Sequence, residues 1–203
     1  MANENKLVLF WKQSWLLVVG SLIFGLLLAS VNYSLQPKIK QNKIDKLNES
    51  LNKVLPEAED FEKVIDKEQF DFAEDKISVY KAKSSGETSG WAFTASGPGY
   101  ADKIKMLIAV NPEFENIIGY SVLMSNETAG FGSKIKEPFY KDQFKGAPAK
   151  ELELIKTGDE TVIDKEIVAV SGATVTSKAV VKIFNKHISG IKEKLTEEGL
   201  LDE

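Results

Sequence analysis

The chain has 203 residues, a formal net charge of −4 and no cysteine. That length supports one ordinary domain with something added, and 43% hydrophobic against 28% charged residues marks the bulk as globular. The lack of a basic excess argues against nucleic acid as a partner, and the lack of cysteine excludes disulfides, thiolate metal sites, a cysteine nucleophile and a cysteine lipid anchor.

The added element comes first. No charged residue lies between Gln13 and Pro37, and Trp15 to Leu35 reads WLLVVGSLIFGLLLASVNYSL. About 20 apolar residues cross the hydrocarbon of a bilayer as a helix. Trp11 and Trp15 at one end and Tyr33 at the other suit an aromatic belt. The run is read as an uncleaved membrane anchor over residues 15–35, preceded by a short tail, 1–14. A cleaved signal peptide ending near LLLASV and a buried core helix are the alternatives. Lys6 and Lys12 precede the run, and Lys38, Lys40, Lys43 and Lys46 follow it. Charge alone would therefore keep the following domain in the cytoplasm.

Residues 36–56 carry Ile39, Ile44, Leu47, Leu51, Val54 and Leu55 on roughly one helical stripe. They predict a membrane-proximal helix, started or interrupted near Pro37 and ended by Pro56. The remainder, 57–203, is expected to be a single α+β domain with an antiparallel-rich sheet and flanking helices. KISVYKAKS and SGWAFTAS flank SGET, and KIKMLIAVN and NIIGYSVLM flank PEFE. Both read as hairpins. LELIK and EIVAV are two further short strands. From Ser177 the stripe Val180, Val181, Phe184, Ile188, Ile191 and Leu195 predicts an amphipathic helix. The lone His187 beside that stripe is expected at the surface or boundary, without a catalytic role. No His/Glu cluster has metal-ligand spacing.

Two stretches stand out. SGATVTS, residues 171–177, is made of small and hydroxyl residues apart from Val175, and sits where a strand hands over to the last helix. Thr176 or Ser177 can cap that helix, and Gly172 permits a close backbone approach. The free N–H groups of a helix start attract phosphate. A plain capped turn is the alternative. The second stretch is NETAGFGSKI, residues 126–135, with Glu127 and Thr128 ahead of Gly130 and Gly132. It is too glycine-rich for a strand, and is read as a ligand-lining loop or a mobile glycine turn.

With the anchor, LNKVLPEAEDF and Gly99-Tyr100, these stretches resemble the FMN-binding subunits of the Rnf and Nqr ion-pumping redox complexes. The likeness is nearer to the G subunit of Rnf than to the usually longer C subunit of Nqr. It implies one FMN per chain, its phosphate esterified to Thr174 by a flavin transferase that uses FAD. It also implies a flavin site formed by Ser171, Gly172, Ala173, Thr176, Ser177, Glu127, Thr128, Gly130 and Gly132. Val168 stands where the family usually has an acidic residue. Ser125, Ala129 and Phe131 replace the family's His, Pro and Leu in the loop. The resemblance further implies partner membrane subunits and a domain on the outer face of the cytoplasmic membrane. It makes the chain an electron carrier with no acid or base catalyst of its own. A stand-alone extracytoplasmic flavoprotein reductase, the Nqr C subunit and a non-redox anchored binding domain are the rival readings.

Overall fold

The computed structural model describes residues 2–65 and 77–201, with side chains from Phe10 onward. Met1 of the expected tail, Lys76 of the first expected strand, and residues 66–76 and 202–203 of the expected domain lie outside the described residues.

One helix, α1, runs from Ala2 to Val54 with Pro37 inside it. No break separates a tail, an anchor and a membrane-proximal helix. An interior proline removes one hydrogen bond and costs roughly 3 kcal/mol. The runs on both sides of Pro37 are rich in leucine, lysine and glutamine, which favour helix and carry it through. The chain divides into two units, Met1–Asp45 and Lys46–Glu203. In the first, the large apolar side chains from Phe10 to Leu35 point outward around the whole helix; Leu17, Phe24 and Leu28 are all at least 70% exposed. The helix is long and apolar enough to cross a membrane.

In the second unit a five-stranded antiparallel sheet runs in the order β1 (Asp60–Ile65), β2 (Val79–Ser84), β3 (Glu87–Pro98), β4 (Lys103–Val110), β5 (Ile117–Met124). Both expected hairpins are present. Ser85 (φ 53°) and Gly86 (φ 86°) form the first turn, with both central residues left-handed as a two-residue hairpin loop requires. β1 was not expected. Its pattern DFEKVI carries three charges, and only Ile65 at its end is fully buried.

Alternation along the strands separates two cores. Trp91, Phe93, Ile104, Met106, Ile108 and Val110 point to one face, and Ala92, Leu107 and Ala109 to the other. Leu51 and Leu55, with Leu47 and Val54 half-buried, pack on the small-residue face, while Ile39 and Ile44 of the same predicted stripe stay exposed. The large-residue face is covered by α3 (Thr174–Glu197) through Val180, Phe184, Ile188, Ile191 and Leu195. A ring cluster of Tyr120, Tyr140, Phe144 and Phe184 adds to this core, with centroids 4.6–5.5 Å apart.

Short helical turns fill 132–144: a 3₁₀ segment Gly132–Lys136, α2 (Pro138–Lys141) and a second 3₁₀ segment Asp142–Phe144. The last strands, β6 (Glu153–Ile155) and β7 (Glu166–Val168), are the two further short strands expected, and they pair parallel. The ten-residue connection, Lys156–Lys165, is long enough to bring the chain back to the same end before β7 starts. His187 is also corrected. It is fully buried, with Nδ1 2.8 Å from the Ile183 carbonyl oxygen. It follows Ile183 by four residues and Phe184 by three, which places it on the same helix face as the core stripe.

Candidate functional site

β7 leads directly into the hydroxyl-rich turn. Its end is held by Gln143, whose Oε1 accepts the Val168 N–H (2.7 Å) and whose Nε2 donates to the Val168 carbonyl (3.4 Å). The turn then closes on itself. Ala173 N–H donates to the Val170 carbonyl (2.9 Å); Ser177 Oγ accepts the Val170 N–H (3.0 Å) and donates to the Ala173 carbonyl (3.1 Å). Tyr140 hydroxyl donates to the Ser177 carbonyl from below (3.4 Å). Helix α3 starts at Thr174, three residues earlier than expected, with Ala173 at the cap and no side-chain cap. Thr176 and Ser177 are therefore inside the first turn and not its caps. Ser177 is consumed by closing the turn. The first-turn N–H groups have no intrahelical acceptor, as at any helix start.

The glycine loop arrives from β5. Thr128 carbonyl accepts N–H bonds from Phe131 (3.3 Å) and Ser133 (3.0 Å), and Ser133 Oγ accepts the Gly130 N–H (3.0 Å). Gly130 has φ +76°, where a side chain would be strained, with open space around it. Phe131 crosses to the other stretch and lies against Gly172, where an added Cβ would sit 2.9 Å from the Phe131 ring. Gly172 also has φ +76°. Its hydrogen serves two needs, the backbone turn and the room for a ring.

The two stretches and the β3–β4 turn enclose a cleft of about 570 Å³, lined by Tyr100, Thr128, Phe131, Gly132 and residues 172–176. That lies within the roughly 300–1,000 Å³ of ordinary small-molecule sites. Gly172, Ala173, Thr174, Thr176, Thr128 and Gly132 of the expected site face it. Thr174 is half-buried in the wall. Thr176 is 2% exposed, and its hydroxyl donates to Glu127 Oε2 at 2.6 Å. Ser171 and Gly130 are exposed nearby but are not among the lining residues, and Ser177 and Glu127 are buried behind the lining.

Tyr100, Phe131 and Val175 were not singled out as site residues, yet they line the cleft with more than half of each side chain exposed. The available signal was an aromatic next to glycine in a turn (Gly99-Tyr100) and another between two glycines (Gly130-Phe131-Gly132). Large exposed apolar side chains grouped at a concavity mark a binding surface.

The FMN-binding domain family model matches residues 99–189, from the start of the β3–β4 turn to the penultimate turns of α3. The chain is 32% identical over 202 residues to the G subunit of the Na(+)-translocating ferredoxin:NAD(+) oxidoreductase complex of Acetobacterium woodii, covering 93% of this chain and 96% of that protein. It is 30% identical over 177 residues to the G subunit of the proton-translocating ferredoxin:NAD(+) oxidoreductase complex of Clostridium ljungdahlii, covering 87% and 85%. Among solved structures it is similar to NqrC of Shewanella oneidensis, with a TM-score of 0.52 and 25% identity over 66% of each chain.

Proposed function

This chain belongs to the family of G subunits of the ion-translocating ferredoxin:NAD(+) oxidoreductase complexes, and on that premise we propose that it is the membrane-anchored electron-carrier subunit of such a complex, with one FMN esterified through its phosphate to Thr174. The observation that carries this reading is the convergence of SGAT, ETAGFG and Gly99-Tyr100 on one cleft whose wall presents Thr174. The competing hydroxyl of Thr176 is buried and committed to Glu127, which favours Thr174 as the attachment residue.

The residues fit the group they would hold. Small side chains at Ser171, Gly172 and Ala173 leave the Thr174 hydroxyl approachable, as attachment by a flavin transferase requires. The first-turn N–H groups of α3 suit phosphate oxygens, and Tyr100, Phe131 and Val175 give the cleft an apolar rim. When bound, FMN supplies the redox chemistry, and the protein contributes binding, orientation and environment. No side chain of this chain is needed as a general acid or base.

The anchor is the stretch 15–35, and the domain stands outside the cytoplasmic membrane, where it relays electrons between neighbouring membrane subunits. Tethering raises the concentration of the redox group near those partners, so weak docking suffices. This chain covers 85% and 96% of the length of the two G-subunit relatives above, against 66% for the C-subunit structure, which favours the ferredoxin-linked complex over the quinone-linked one. The two relatives are named for different ions, so the transported ion does not follow from the family.

Purification from native membranes tests the assignment: partner membrane subunits should co-purify, and a flavinylated chain isolated alone would mean a stand-alone reductase. Protease added outside the cytoplasmic membrane should digest residues 38–203. Protection until that membrane is opened would reverse the topology, and a mature N-terminus near Ser30 would make the apolar run a signal peptide.

A further inference from the structure

We propose that Glu127 is a positioning residue that latches the three walls of the cleft to one another and is not itself a ligand for the flavin. The consequence drawn for Thr174 rests on the functional reading above; the latch itself does not.

The Glu127 side chain has the geometry of a tie. Its Oε1 accepts the backbone N–H of Tyr100 (2.9 Å) and of Ala101 (3.1 Å), and its Oε2 accepts the Thr176 hydroxyl (2.6 Å). One carboxylate thus joins the segment after β5 to the β3–β4 turn, 26 and 27 residues back, and to the first turn of α3, 49 residues on. The residue is 8% exposed and is absent from the cleft lining. Hydrogen bonds to an ionised acceptor are roughly twice as strong as neutral ones. Removal of the acceptor leaves a buried hydroxyl and two turn amides to find others.

The surrounding glycines fit this role better than ligand contact. A Cβ on Gly99 would overlap Glu127 Oε1, and one on Gly132 would lie 2.9 Å from both Glu127 Cβ and Thr176 Oγ1. Gly99 and Gly132 therefore make room for the latch, whereas Gly172 makes room for Phe131. The latch also answers a structural need. Helix α3 begins without a side-chain cap, and the carboxylate holds its third residue, two positions from Thr174. A negative charge near a helix N-terminus is also favoured by the helix dipole.

The test is hydrogen exchange read by mass spectrometry on the full-length apo chain in detergent, followed by the rate of flavin attachment with flavin transferase and FAD. Glu127→Ala should speed exchange roughly tenfold or more at residues 99–102 and 173–178, and leave the β3–β4 ladder at wild-type rates. Glu127→Gln keeps an acceptor for the Tyr100 and Ala101 amides, so 99–102 should return to within about threefold of wild type. Thr176→Val should loosen the start of α3 alone. Both Glu127→Ala and Thr176→Val should slow attachment at Thr174 by at least about tenfold. Wild-type exchange at both segments in Glu127→Ala, or an acceleration spread evenly over the sheet, overturns the latch. Wild-type attachment in both variants removes the consequence drawn for Thr174, and the exchange pattern still judges the latch. If Glu127→Ala does not fold, Thr176→Val and Glu127→Gln decide by the same readouts. A wild-type chain that accepts no flavin refutes the functional reading, and the exchange pattern then judges the latch by itself.

Discussion

The cleft along the C-terminal half of α3 and the cleft at its start are built differently. The larger, about 900 Å³, follows the C-terminal half of the helix and is walled by Lys150, Glu151, Lys192, Glu193 and Glu197 around Ile188 and Ala149. Half of the lining residues are these long charged side chains, beside Asn185, Ser189 and Thr196, and fixing each in one rotamer costs conformational entropy. The smaller, about 570 Å³, has walls of backbone and short side chains from three segments, tied together behind the surface by a buried carboxylate. Volume alone would not choose the cleft proposed for the flavin. What distinguishes the smaller one is that its shape is set by backbone and buried hydrogen bonds, so a ligand meets a wall already in place.

The largest expected contrast between the clefts comes from their hydroxyls. Thr174→Ala should abolish covalent flavin in a chain co-produced with flavin transferase, while Ser189→Ala in the larger cleft should leave full occupancy, both read by intact mass. Flavin retained by Thr174→Ala would erase the distinction.

A smaller contrast lies within the smaller cleft. Gly172→Val places a branched side chain at φ +76° and against Phe131, and should cost about 1–3 kcal/mol with a loss of flavin occupancy. Gly130→Val has the same φ but open space, and should cost about 1–2 kcal/mol and keep more flavin. Thermal melts and flavin-to-protein ratios compare them. Equal flavin loss in both would mean that the contact between Phe131 and Gly172 does not shape the cleft.

The ring cluster of the core should show in the alkaline range. Burial pushes the phenols of Tyr120 and Tyr140 well above their usual value of about 10. A raised folded-state pKa means that the folded state holds the proton more tightly. The resulting stability is whole below pH ~10 and is lost as pH rises beyond it. Alkaline denaturation followed by tyrosinate absorbance should show these two phenols ionising with unfolding, and early titration of both in the native protein would contradict it. The smallest effect belongs to the larger cleft, where Lys192→Ala and Glu193→Ala should each change stability by less than about 0.5 kcal/mol and leave flavin content unaltered.

The elements that could be read in the sequence are those with a local cause. β3 and β4 put mostly larger apolar residues on one face and smaller ones on the other, β2 and β5 are rich in strand-forming residues, and Ser85-Gly86 marks the first turn, so both hairpins were visible. β1 was hidden because an edge strand carrying Asp60, Glu62 and Lys63 has little alternation to detect. Pro37 misled because a proline usually ends a helix, and here helix formers on both sides outweigh it. The turns of 132–144 have too few residues to show a period. At the candidate site, SGAT and ETAGFG stood out in the sequence and the fold brings both to one cleft, but the contacts of individual residues were not legible. Glu127 was assigned to the flavin site by the resemblance of its loop; its partners at Tyr100, Ala101 and Thr176 are brought to it only by the fold. Ser177 read as a cap because it stands at the helix start, but the helix begins three residues earlier and turns its hydroxyl back to Val170.

The most direct measurement is site mapping of the flavin on the wild-type full-length chain after co-production with flavin transferase. The expected result is one added FMN less one water per chain by intact mass, with fragmentation of the peptide spanning residues 171–177 placing the phosphoester on Thr174. An unmodified mass under those conditions, or a phosphoester on Thr176 or any residue outside this cleft, would contradict the assignment.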